Sequence, residues 1–122
     1  MGKRSVNARD EHGMWDLGGG GIEFGESAED TVRREIREEY GAEVRACEFL
    51  GYMDAHREQD GRQTHWISLG FKALVDPLEI RNAEPDMCDE IQWFTLDSLP
   101  EENLHSQLPQ FLERFKARLE ER

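Results

Sequence analysis

With 122 residues the chain has room for one domain and one modest core. Its 27 acids against 15 bases leave a net charge of −12, which repels a long phosphate backbone and excludes a nucleic acid polymer as an extended partner. No run reaches the ~18 apolar residues of a membrane span and no apolar signal core opens the chain, so a cytoplasmic protein with no membrane partner is expected.

Residues 1–14 are polar and loop-like. "WDLGGGGIEFGES" (15–27) then runs into four consecutive glycines, which weaken both helix and strand and mark a loop that takes unusual angles or approaches something closely. A helix follows, with Ser27 as N-cap, Asp30 three residues on, and Gly41 as its stop. Ala28, Val32, Ile36 and Tyr40 recur every fourth residue and form its buried stripe. A strand is expected over 44–55, and "DG" at 60–61 marks a hairpin turn. Residues 64–75 alternate, so that His65, Ile67, Leu69, Phe71, Ala73 and Val75 share an apolar face. "IQWFTL" (91–96) reads as a short strand. Phe111, Leu112, Phe115 and Leu119 place an amphipathic helix from Leu108 onward. Strands with helices packed on them make a small α/β or α+β domain spanning 1–122. Cys47 and Cys88 have no metal-ligand spacing and read as two buried thiols of a reduced compartment.

The chemistry concentrates in "REIREEYG" (34–41). Such a segment is commonly a surface helix laced with salt bridges, but its placement argues otherwise. At about 100° per residue, the Ala28–Val32–Ile36 stripe spans roughly 0° to 80°, with Glu39 near ~20° and Glu35 near ~340°. On the same wheel Glu38 lies near ~280°, while Arg33 and Arg37 fall at about 140° and 180°, on the water side. Carboxylates gathered on the core side repel one another and lose hydration. A divalent cation with a preference for hard oxygen ligands, Mg²⁺ or Mn²⁺, removes that problem.

From Gly20 the chain reads G-x5-E-x7-R-E-I-x-E-E-x-G-A, filled by Gly20, Glu26, Arg34, Glu35, Ile36, Glu38, Glu39, Gly41 and Ala42. This resembles the signature of the Nudix (MutT-like) hydrolases, with Ala42 smaller than the bulky aliphatic residue that usually ends it. The lead-in "WDLGGGGIEFGE" is similar to the family's own, with Gly18 where proline is common, and "IQWFTLDSLP" resembles its C-terminal strand and turn. The resemblance implies an α/β/α sandwich around a mixed sheet. It also implies Mg²⁺- or Mn²⁺-dependent hydrolysis of a nucleoside diphosphate linked to another group, a small nucleotide or pyrophosphate-containing substrate. Carried over position by position, Glu35, Glu38 and Glu39 bind metal and Glu35 helps to activate water. Arg34 orients them, Glu26 supports that network, and a carbonyl of Gly19 or Gly20 adds a ligand. The alternative from another class is a non-catalytic nucleotide-binding or sensing domain, which typically loses these glutamates; all are present here. Beyond the motif, where family subgroups carry a distinctive proline or tyrosine, the chain has "AHREQDG" with neither.

Family members often use a further acid outside the motif. Glu84, Asp86, Asp89 and Glu90 precede Trp93, and Glu90 is the first choice as a metal ligand. Trp66 and Trp93 could stack a nucleobase but more often such residues are core; Trp15 is expected to pack. His65 reads as a core histidine, and His56 and His105 as candidates for a cleft mouth. Lys3, Arg4 and Arg9 are candidates for phosphate contact. The resemblance also implies two strands before the motif, and "MGKRS" looks like the tail of the second. The usual first strand is therefore expected to be missing, leaving an unpaired edge through which a homodimer could form.

Overall fold

The structure is a computed structural model and describes residues 1–121; Arg122, the last residue of the expected domain, lies outside them. Helix α1 (Ala28–Tyr40) starts where the sequence places it, with the Ser27 Oγ accepting from the Asp30 N–H at 3.1 Å. It ends at Gly41, whose φ of 69° lets its N–H cap the Arg37 carbonyl. Glu29 and Asp30 in the first turn and Arg37 in the last complement the helix dipole. Helix α2 (Leu108–Glu120) buries Leu108 and Phe115, as its pattern predicts.

The strands are β1 (Gly2–Arg4), β2 (Trp15–Asp16), β3 (Val44–Gln59), β4 (Arg62–Val75) and β5 (Cys88–Ile91). The α+β class is borne out, and "MGKRS" does form a strand. The expected single mixed sheet is instead two antiparallel ladders, β2-β1-β5 and β3-β4. Parallel pairing is confined, among the described residues, to a bridge between Trp15 and Leu104. The β3–β4 hairpin turns on Asp60 (φ 51°) and Gly61 (φ 76°), the two positive angles that a tight two-residue turn needs. Strand β3 outruns the expected 44–55 because Arg57, Glu58 and Gln59 continue the ladder opposite Thr64, Gln63 and Arg62. The last strand falls at Cys88–Ile91 instead of 91–96, since its register is set by β1: Gly2 opposite Ile91 and Lys3 opposite Glu90.

The core lies between β3 and the helices, where Ala42, Val44, Leu50, Met53, Ala55 and Phe115 are buried. Helix α2 approaches closely because Gly70 lacks a side chain: a Cβ there would lie 3.0 Å from the Phe111 ring and 3.1 Å from Phe115. Arg118 pins the helix to β3 through the Leu50 carbonyl (3.2 Å) and Glu48 (2.8 Å).

The alternating face of β4 is less covered than its pattern suggests. Ile67 is 59% and Leu69 40% exposed, and both line a cleft of about 790 Å³ whose walls also include Ala28, Val32, Ile36 and Phe111. Because the two ladders share no hydrogen-bonded edge, the space between them is a cleft and not a continuous core. Three expectations of burial fail. His65 is exposed and bonds Asp54 at 2.7 Å, and Trp66 and Trp93 are exposed as well. Trp15 does pack, edge-on to Phe94 at 5.3 Å. Cys47 and Cys88 are free but only half-buried. No described helix is long and apolar enough to cross a membrane.

Candidate active site

The site is built on α1 and the glycine loop that precedes it. Arg34 sits at the centre. Its Nε donates to Glu26 Oε2 at 2.8 Å and its Nη2 to Glu26 Oε1 at 3.1 Å, a two-point grip. Its Nη1 donates to Glu35 at 2.7 Å and Glu38 at 3.3 Å, and its Nη2 reaches the Gly21 carbonyl at 3.1 Å. The hydroxyl of Thr31 donates to Glu26 at 2.7 Å. These bonds, Arg34's first and Thr31's second, outweigh desolvation and hold the Glu26 carboxyl down at about 2. Glu26 is therefore ionised throughout the working range and fixes Arg34, which in turn fixes Glu35.

The burial expected from the wheel holds for two of the three glutamates. Glu35 and Glu39 are half-buried beside the stripe, and Glu38 points out. Glu39 lies beneath the loop, accepting from the Gly19 N–H at 3.3 Å. Burial chiefly, and then the neighbouring Glu35 and Glu84 carboxylates, push its carboxyl up to about 8 against the N–H bond that lowers it. Two glycines make this packing possible. A Cβ on Gly18 would overlap the Glu39 carboxylate and one on Gly20 the Glu35 carboxylate. Gly18 also adopts φ +93°, which side chains disfavour and proline cannot reach.

Glu90 stands exposed on β5 opposite Lys3. The acid brought within range of the motif is Glu84, whose carboxyl is raised by burial first and then by Glu35 and Glu38. Glu84 lines a pocket of about 110 Å³ with Glu39, Tyr40, Gly18 and Gly19. Asp86, between them in sequence, instead uses its carbonyl to hold Ser5 at 2.6 Å and Asn7 at 3.1 Å. Sequence spacing could not separate these acids, because the loop from 81 to 87 folds back on α1: the Arg81 and Ala83 N–H groups bond the Tyr40 and Glu39 carbonyls at 2.9 and 3.1 Å.

Two carboxylates of α1, Glu35 and Glu38, thus bond the Arg34 guanidinium, and Glu39 and Glu84 lie close enough for Glu35 to add to burial in raising their carboxyls. The donor set is all hard oxygen and carries excess negative charge in partly desolvated surroundings, which fits a divalent cation of the Mg²⁺ or Mn²⁺ type. The Gly19 and Gly20 backbone borders the same cleft.

A second cluster was not foreseen. Ligand atoms of Asp10, Glu11 and His105 lie within 4.8 Å of one another. Arg57 bonds both acids at 2.7 Å, Arg4 bonds Asp10 at 3.1 Å, and His105 meets Glu11 at 2.7 Å. Arg4 is therefore engaged with Asp10 and Asp16, and Arg4, Arg9, Arg57 and His105 line the cleft; Lys3 and His56 are not among its lining residues.

Residues 1–115 match the family model described as the NUDIX domain. The chain is 40% identical over 88 residues to the NAD-capped RNA hydrolase NudC of Pseudomonas aeruginosa, covering 72% of this chain and 29% of that protein. It is 38% identical over 86 residues to the protein of the same name from Mycobacterium tuberculosis, covering 70% and 26%. The chain thus spans less than a third of the length of these curated relatives. The crystal structure of a MutT NUDIX hydrolase from Burkholderia pseudomallei superposes with a TM-score of 0.78 at 32% identity, covering 93% of this chain and 84% of that one.

Proposed function

Because the chain belongs to the NUDIX domain family, we propose that it is a Mg²⁺- or Mn²⁺-dependent hydrolase that cleaves the pyrophosphate linkage of a nucleoside diphosphate joined to another group. The observation that carries this reading is the crowding of Glu35, Glu39 and Glu84 beside the glycine loop, with Glu39 bonded to the Gly19 N–H and Arg34 bonded to Glu35 and Glu38.

Glu35, Glu38 and Glu39 would hold the ion, with Glu84 in the role that sequence spacing assigns to Glu90 and a carbonyl of Gly19 or Gly20 as a further ligand. When bound, the ion supplies charge screening at the pyrophosphate and strengthens the acidity of a water. The chain's own residues supply the rest. Glu26 and Arg34 lock Glu35 in one orientation, so that its carboxylate can take the proton of the attacking water without first reorganising. The cleft of about 790 Å³ lies against Glu35 and Glu39, and its size suits the remainder of a nucleotide substrate.

The relatives' name includes a capped RNA, so the exclusion of nucleic acid drawn from net charge does not extend to an RNA 5′ end. A single terminus needs only the site, whereas an extended duplex would meet the whole charge of −12. The test is a phosphate- or monophosphate-release screen with Mg²⁺ over nucleoside triphosphates, ADP-ribose, sugar nucleotides, dinucleoside polyphosphates, NAD and 5′-NAD-capped RNA. Turnover of at least one that vanishes with chelator is expected. Nucleotide binding without turnover across the panel would replace the hydrolase by a sensing domain.

A further inference from the structure

The motif leaves position 40 unspecified, and in this chain it is a tyrosine whose hydroxyl donates to the Leu17 carbonyl at 2.9 Å. We propose that Tyr40 is a positioning residue: it anchors the entrance of the glycine loop so that the loop's carbonyls face the carboxylate cluster. This rests on the hydrolase reading above.

Four glycines in a row give the loop more conformational freedom to lose than any other four residues would. The structure shows three tethers from α1 to this loop among the described residues. The Gly19 N–H bonds Glu39 at 3.3 Å, Arg34 holds the Gly21 carbonyl at 3.1 Å, and Tyr40 holds Leu17. The first uses a carboxylate that metal binding would claim, and the second grips only the far end. The Tyr40 bond therefore holds the entrance whether or not a cation is present. A Cβ built on Gly18 would lie 3.4 Å from the Tyr40 hydroxyl, so the backbone closes directly onto the phenol. Tyr40 and the loop residues Gly18 and Gly19 also line one pocket together with Glu39 and Glu84. Untethered, the loop presents its carbonyls to the ion for a smaller fraction of the time, and apparent affinity falls by that fraction.

Tyr40→Phe keeps the ring and removes only the hydroxyl. Substrate-free titration calorimetry should show Mn²⁺ affinity weakened about 3- to 10-fold, the range of one lost hydrogen bond. Amide hydrogen exchange over the peptide containing Gly18–Gly21 should accelerate. In turnover, kcat should fall at limiting Mn²⁺ and recover at excess Mn²⁺, with KM for the nucleotide unmoved. Tyr40→Leu, which also removes the ring, should add a loss of melting temperature. If Tyr40 serves packing alone, Tyr40→Phe will match wild type in Mn²⁺ affinity and loop exchange while Tyr40→Leu melts lower, and the proposal is overturned. Should the wild-type protein hydrolyse nothing, the hydrolase reading fails, and the exchange of the loop in Tyr40→Phe still decides the role of the tether.

Discussion

Two groups of crowded acids, Asp10 with Glu11 and the glutamates around α1, are closed in opposite ways. Around Asp10 and Glu11 every carboxylate oxygen has a protein partner: Arg57 bridges both residues, Arg4 takes the second oxygen of Asp10, and the Ser106 N–H meets that of Glu11 at 2.6 Å. Burial would raise the Asp10 carboxyl, but Arg57 and Arg4 together outweigh it and hold it below its ordinary value. Around α1 the Arg34 guanidinium is shared among Glu23, Glu26, Glu35 and Glu38, and Glu39 and Glu84 are raised by burial first and by neighbouring carboxylates second. The same residue types thus make a strut in one place and an excess of crowded negative charge in the other. Acid content does not separate the two; the balance of nearby guanidinium groups does.

The contrast breaks first at the charges of α1. Replacing Glu38 and Glu39 together with Gln preserves shape, so the fold should hold while turnover drops on the order of 10²-fold or more. Asp10→Asn with Glu11→Gln should do the reverse, lowering the melting temperature and leaving kcat within about threefold, because those groups act on structure. Near wild-type turnover in the Glu38–Glu39 double variant would return α1 to the status of a solvated face.

Arg57→Met leaves Asp10 and Glu11 facing each other without their bridge. It should cost roughly 1–3 kcal/mol in denaturant unfolding, and the loss should shrink when Glu11 is also made Gln. An unchanged midpoint in Arg57→Met would show that Arg4 and His105 already suffice.

Among the acids outside the motif, Glu84→Gln should lower kcat by about tenfold and raise the Mg²⁺ needed for half activity, while Glu90→Gln should leave both unchanged. Equal effects would show that the loop from 81 to 87 moves when substrate binds.

The subtlest difference is in pH. The Glu39 carboxyl is raised to about 8 from 4.5, so the folded state holds a proton that the unfolded chain gives up. The stability it contributes is complete below pH 4.5 and is lost as pH rises through about 8. The metal-free protein should accordingly melt lower at pH 8.5 than at pH 6, and Mg²⁺ at matched ionic strength should raise the melting temperature more at the higher pH. Glu26 behaves oppositely: its carboxyl, held at about 2 by Arg34, contributes stability above 4.5 that is lost as pH falls toward 2. A melting temperature flat from pH 6 to 8.5, with Mg²⁺ no better than monovalent salt, would remove Glu39 from the metal site.

Much of the molecule was legible before its structure. Ser27, Gly41 and the fourfold spacing of Ala28, Val32 and Ile36 fix α1 by local chemistry alone, and a helix of known phase carries Glu35, Glu38 and Glu39 to one side without help from the rest of the fold. The "DG" turn fixes the hairpin in the same way, since both residues accept positive φ. What depends on distant segments was not legible. Glu84 and Glu90 are both acids ahead of Trp93, and only the return of the loop from 81 to 87 onto the carbonyl end of α1 brings one of them to the cluster. The apolar alternation of β4 states that one face wants cover; whether cover exists depends on the pairing of β1 with β5 and β2, which leaves Ile67 and Leu69 lining a cleft. The closure of Asp10 and Glu11 by Arg57, nearly fifty residues away, is invisible to any local pattern. Residue type and helical phase set which charges gather within one element. Which of them find a partner is decided by contacts between elements, and in this protein that distinction separates the strut from the site.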